Sequence, residues 1–162
     1  MGLTPAHPAL GAEEPKPGQP SPAAEAKLFQ GARQGDLELV KAAVAAGANV
    51  NCRDTNGLTP LLQTLHDVTA PIDANRRECV AFLLAHGARV DDVDNDKRTA
   101  LIYATRAGDM ETIRMLVQAG AFIKRRDRFY KMAVFYAAEA GRRDIVAYLG
   151  KTLKEKYHQS AW

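Results

Sequence analysis

Gly-Asp-Leu-Glu-Leu-Val-Lys-Ala-Ala-Val-Ala-Ala-Gly-Ala-Asn-Val-Asn fills residues 35–51, and Gly-Asp-Met-Glu-Thr-Ile-Arg-Met-Leu-Val-Gln-Ala-Gly-Ala-Phe-Ile-Lys fills residues 108–124. The two stretches are copies of one phrase. A shortened copy, GRRDIVAYL, starts at Gly141. The interval from Gly108 to Gly141 is 33 residues, and the Gly-Ala pairs at 87–88 and 120–121 are also 33 apart. A fixed period of this length marks a repeat architecture in which each unit is one small supersecondary element.

The residues inside each period spell helices. Val80, Leu83 and Leu84 sit at i, i+3 and i+4, an apolar stripe on one helix face, and Ile113, Leu116 and Val117 repeat it. Leu37, Val40 and Val44 do so approximately. Gly47, Gly87 and Gly120 follow these stripes, where a left-handed residue closes a helix at low steric cost. Thr59 and Thr99 can each cap a helix N-terminus with a side-chain oxygen. Pro60 suits the first helical position, where no N–H partner is required. Four helix pairs are predicted, at about 25–52, 57–91, 97–124 and 130–157. One pair cannot hide its apolar faces alone, but a stack of pairs buries them as one continuous core.

A second phrase links the copies: Gly57-Leu58-Thr59-Pro60-Leu61, Lys97-Arg98-Thr99-Ala100-Leu101 and Tyr130-Lys131-Met132-Ala133-Val134. With it the chain resembles the ankyrin-repeat family over roughly residues 25–155. That family's unit is a β-turn followed by two antiparallel helices that open on Thr-Pro-Leu-His. Only one unit here keeps Thr-Pro-Leu, and the histidine is replaced by Leu62, Ile102 or Phe135. The resemblance implies an all-α ankyrin solenoid of about four stacked helix-turn-helix units joined by β-turn hairpin loops. The units are expected at about 25–56, 57–96, 97–129 and 130–157, with an N-terminal arm at 1–24 and a tail at 158–162. The last helix turns polar from Lys151 onward, as a capping repeat would.

Length and composition agree with one ordinary globular domain. The chain has 162 residues, 46% hydrophobic and 25% charged, with a net charge of +3. That charge is too small to argue for nucleic acid by itself, and no apolar run approaches a membrane span. Cys79 lies on an apolar stripe and is expected to be buried. The period predicts no pairing between Cys52 and Cys79, which suits a reducing compartment and an expected cytoplasmic location. Six of the eight prolines fall in residues 1–24, which read as an extended linker. Pro17-Gly18-Gln19-Pro20 also fits a Pro-rich recognition motif, though weakly.

The period is broken once. From Thr99 to Gly120 is 21 residues, but from Thr59 to Gly87 is 28. Seven extra residues therefore fall in the second unit, around His66 to Asn75. Pro71 forbids a continuous helix there, and Asp73 or Asn75 can cap the helix that follows. Insertions in repeat proteins map to loops, often on a functional face. A solvated loop is the competing reading, because lengthening a loop costs little entropy.

Catalytic sets are missing. Neither serine, Ser21 or Ser160, lies on a nucleophile elbow, and no His/Cys pair has zinc-ligand spacing. Asp91-Asp92-Val93-Asp94-Asn95-Asp96 has no Gly or Glu where a calcium loop needs them, so it reads as an acidic β-turn. No cofactor and no metal are expected, and the chain is expected to be no enzyme.

What remains is a binding surface. The resemblance implies that a partner is met by turn tips and the exposed face of the first helices. Carried over residue by residue, the contact positions are Arg53, Thr55, Asn56 and Leu58 in the first turn. In the second they are Asn95, Asp96 and Arg98, with Arg106 on the helix beyond. In the third they are Arg126, Arg128, Phe129, Tyr130 and Lys131, with Glu139 beyond. Lys124–Lys131 holds five basic and two aromatic residues in eight, and Tyr130 stands where the first turn has Gly57. Aromatic residues beside arginine are the chemistry of interface hot spots. The expected function is non-catalytic binding of another protein, as an inhibitor, immunity factor or adaptor, by a chain that is monomeric alone and makes no membrane contact. Two alternatives remain open. One is an enzyme or metal protein that uses His66, Asp67 and Asp73 of the insertion. The other, less favoured, is nucleic-acid binding through residues 124–131.

Overall fold

A computed structural model describes residues 19–158. Among them are eight α-helices and no strand. They are α1 (Pro22–Gln34), α2 (Leu37–Ala45), α3 (Pro60–His66), α4 (Ala74–Ala85), α5 (Ala100–Ala107), α6 (Met110–Gln118), α7 (Ala133–Glu139) and α8 (Arg143–His158). Each odd-numbered helix packs on the next even-numbered one, so the units are helical hairpins. The first helices α1, α3, α5 and α7 form one row, and the second helices α2, α4 and α6 another. This is the stacked solenoid that the period predicts. Helix α1 starts at Pro22, inside the segment read as arm, because the Ser21 hydroxyl accepts from Ala24 N–H at 3.4 Å and caps it. Residues 1–18 of the arm, with part of the Pro17–Pro20 motif, and residues 159–162 of the tail lie outside the described residues.

The caps follow the sequence. Thr59 and Thr99 accept from Leu62 and Ile102 N–H, each at 3.3 Å. Asp36, Asp73 and Asp109 cap α2, α4 and α6 in the same way. Met132 stands at the corresponding position of α7, which has no side-chain cap. Gly47, Gly87 and Gly120 have φ of 89°, 88° and 96°, so each closes a helix in the left-handed region that suits glycine.

The core runs along the stack between the two helix rows. Leu28, Val40, Leu61, Leu65, Val80, Leu83, Leu101, Ile113, Leu116, Ile145 and Leu149 are buried in it. Gly31 sets the closeness of the first hairpin. A Cβ there would lie 3.0 Å from both Cγ2 and the backbone nitrogen of Val40. Cys52 and Cys79 are both buried and unpaired.

The second unit absorbs its excess in two places. The loop between α3 and α4 covers seven residues, 67–73, whereas only Gly108 and Asp109 join α5 to α6. Helix α4 is also longer than α6, with 12 residues against 9. The loop is anchored. Ile72 is buried in the core, Val68 packs against it, and Asp67 Oδ1 accepts from Thr69 N–H and Oγ1–H at 3.0 and 2.5 Å. Asp73 is the cap of α4, so it settles the choice left between Asp73 and Asn75.

Candidate protein-interaction face

Three loops project beyond the first helices, and one aspartate organises each tip. Asp54 Oδ1 accepts from Asn56 and Leu58 N–H at 2.9 and 2.8 Å. Asp94 Oδ1 accepts from Asp96 and Arg98, both at 2.9 Å. Asp127 Oδ1 accepts from Phe129 and Lys131 at 2.8 and 3.0 Å. Each aspartate's own N–H donates back to the carbonyl of Leu58, Arg98 or Lys131, which closes a small hairpin. The other carboxylate oxygen takes a phenol in two units. Tyr103 donates to Asp94, and Tyr136 to Asp127. Burial and the neighbouring carboxylate push both phenols above their ordinary range. The acidic turn is therefore structural at Asp94, a role that charge alone did not reveal.

The fourth tip residue is left-handed in all three loops, with φ of 74° at Gly57, 59° at Lys97 and 61° at Tyr130. Tyr130 is not alone there, because Lys97 occupies the same strained position.

The tips lie side by side and are tied together. Arg53 Nη1 donates to Val93 O at 2.6 Å, and Asn95 N–H to Asn56 O at 3.2 Å. Asn95 also reaches Thr55 O at 3.4 Å. Arg128 N–H donates to Asp96 O at 2.9 Å, and its guanidinium to Asp96 Oδ1 at 2.8 Å. That donation holds the Asp96 carboxyl below its usual range. The basic and acidic turns thus pair at one point, and the tips form an ordered edge.

Beyond the edge, cations gather over rings. Arg98 and Arg128 lie 5.9 and 5.4 Å from the Phe129 centroid. Arg106 and Lys131 lie 5.6 and 5.5 Å from the Tyr136 centroid. Lys131 also meets Glu139 at 2.5 Å. Phe129 is 56% and Tyr130 78% exposed, an unusual cost for side chains of this size. Arg126 is exposed and has no ion pair among the described residues.

One predicted contact residue is misplaced. Leu58 is only 3% exposed, so it fills the core beneath its tip and is no contact residue. Its backbone closes the hairpin, which turns that side chain inward. Arg98 and Lys131 hold the same position: Arg98 is largely covered, with its Nε buried and its Nη1 beside Asp96 at 3.2 Å, whereas the Lys131 ammonium is exposed beside Glu139.

The chain is similar to known proteins. A family profile described as ankyrin repeats in three copies matches residues 28–127 and 65–160. The chain belongs to the ankyrin-repeat family. It is 32% identical over 123 residues to cyclin-dependent kinase inhibitor 2A of Homo sapiens, covering 75% of this chain and 74% of that one. It is 31% identical over 126 residues to cyclin-dependent kinase 4 inhibitor B of Rattus norvegicus, covering 77% and 91%. An ankyrin repeat domain-containing protein of Stachybotrys chartarum is 33% identical over 93 residues, which are 57% of this chain but 4% of that protein. The array is thus a protein-interaction module.

Sequence reasoning missed two parts of this ankyrin face. The first is Phe135, 48% exposed on α7, which stands where the family's histidine would be. The second is a groove of about 570 Å³ beside the first tip, walled by Arg33, Asn56, Gln63, His66 and Val68. The insertion loop forms its far wall. The metal-binding alternative finds its residues otherwise engaged, because Asp73 caps α4, Asp67 holds Thr69, and the His66 ring lies 5.5 Å from that of Tyr103. Among the described residues no three His, Cys, Asp or Glu side chains gather at metal-binding distance. No described helix is long and apolar enough to cross a membrane.

Proposed function

We propose that this ankyrin-repeat protein binds one protein partner through the tips and first-helix face of its last two units, and inhibits that partner by covering its surface. The observation that carries the reading is the exposed Phe129–Tyr130 pair on an ordered edge, flanked by Arg128 and Lys131. Large rings left in water are costly for a protein alone, and rings beside guanidinium groups concentrate binding energy. Relatives named as kinase inhibitors support inhibition as the mode of action. Crosslinking in the native cell, followed by measurement of affinity for the recovered protein, tests the reading. Arg128→Ala combined with Phe129→Ala is expected to weaken binding by about 2 kcal/mol or more. Unchanged affinity would overturn the site.

A further inference from the structure

Charge divides unevenly along the array. Residues 57–96 carry three basic and seven acidic side chains, whereas residues 97–157 carry fourteen basic and six acidic. The imbalance reaches the contact face. Arg98 and Arg128 share one carboxylate, Asp96. Lys131 has Glu139. Arg106 and Arg126 have no ion pair among the described residues. Asp127, the remaining acid, is consumed by its own tip and by Tyr136. Five cations therefore face two available carboxylates.

Four of these cations are also held in place. Arg98 and Arg128 sit over Phe129, while Arg106 and Lys131 sit over Tyr136. A guanidinium fixed in this way loses less entropy when it pairs with a carboxylate, and it can do so with two parallel hydrogen bonds. The exposed Phe129, Tyr130 and Phe135 supply apolar area between the charges.

Resting on the interaction reading above, we infer that the partner segment seated on the last two units is acidic, with carboxylates spaced around an apolar anchor. Its carboxylates meet Arg106 and Arg126, and its anchor lies against Phe129 and Phe135. The first tip offers no comparable free cation, because Arg53 is paired with Asp92 at 3.2 Å and donates to Gly57 O and Val93 O, which favours docking on the last two units. Nucleic acid fits less well. A phosphate backbone needs an unbroken cationic track, and here Asp96 and Glu139 interrupt the cations beside an acidic turn.

The probe is a short peptide of Asp and Glu residues around a single Phe, titrated into the isotopically labelled full chain with amide shifts recorded. Saturable shifts in residues 98–106 and 124–139 are expected, with affinity falling as salt rises from about 50 to about 300 mM. Arg106→Glu with Arg126→Glu is expected to weaken the peptide about tenfold or more, while Arg89→Glu, the same kind of substitution on exposed surface in the second unit, leaves it unaltered. Arg126→Glu alone keeps the test valid should Arg106→Glu loosen α5. Absence of shifts, shifts centred on residues 54–96, equal binding of a Lys-rich peptide, or equal binding of an oligothymidylate would each overturn the inference. A native partner whose affinity ignores both salt and the Arg106/Arg126 pair would sink it too, and would leave the protein-binding reading standing.

Discussion

Tyr130 and Lys97 show how a residue can be kept against its own conformational preference. Both are left-handed at a position where Gly57 does the same without strain. A non-glycine residue there costs on the order of 1 kcal/mol. Lys97→Gly and Tyr130→Gly are therefore each expected to raise stability by about 0.5 kcal/mol at most, once the entropy that glycine adds to the unfolded chain is subtracted. Urea unfolding measures this. Tyr130→Gly is also expected to weaken partner binding, whereas Lys97→Gly leaves it intact. The buried Tyr103–Asp94 pair makes the opposite point. Tyr103→Phe leaves a carboxylate oxygen without its donor beneath the second tip. The expected loss is about 1–3 kcal/mol by the same unfolding measurement, and no loss would mean that the phenol is incidental.

At the scale of elements, arginines fasten one unit to the next. Arg76 donates to Arg33 O at 3.0 Å and Thr64 O at 2.8 Å, and Arg142 to Gly108 O at 2.8 Å. Arg77 grips Asp109, the cap of α6, with bonds of 3.0 and 2.5 Å. Burial pushes the Asp109 carboxyl up, but donation from Arg77 and Thr112 outweighs it and holds the group below its ordinary value of 3.8. A lowered folded value means stability that is present above the ordinary value and lost as pH falls through the folded one. Arg77→Ala is expected to cost about 1 kcal/mol at neutral pH and to flatten the loss of stability below about pH 4. Acid titrations of both proteins, followed by circular dichroism, would show it. The insertion loop yields a second test. Ile72 is buried whereas Pro71 is exposed. Ile72→Ala should cost about 2 kcal/mol, and Pro71→Ala less than about 0.5 kcal/mol. Equal effects would mean that the loop is not anchored through Ile72.

At the scale of the whole molecule, each unit touches mainly its neighbours, so stability is close to a sum of units and interfaces. Helices α3 and α5 have first-row neighbours on both sides. Their amides should exchange slowest, and those in the first turn of α1 and the last turn of α8 fastest. Hydrogen exchange read by mass spectrometry checks the order, and uniform protection would contradict the additive picture. The charge division belongs to this scale as well. It is nearly invisible in a net charge of +3, yet the stack turns it into an acidic second unit and a basic far end.

The sequence by itself determined the repeat, its phase, the caps at Thr59 and Thr99, and the inserted residues, because these follow from local periodicity and backbone chemistry. The edge of basic and acidic turns was also legible, since the period sets tips side by side. Tertiary structure alone decided that Leu58 lies under its tip, that Asp54, Asp94 and Asp127 organise the loops, and that Phe135 and the groove by the insertion join the face. Those outcomes depend on which way a side chain turns once neighbouring units close around it. Lys97 marks the boundary between the two. Its identity gave no hint of a left-handed backbone, because the demand comes from the hairpin that Asp94 holds and not from the residue.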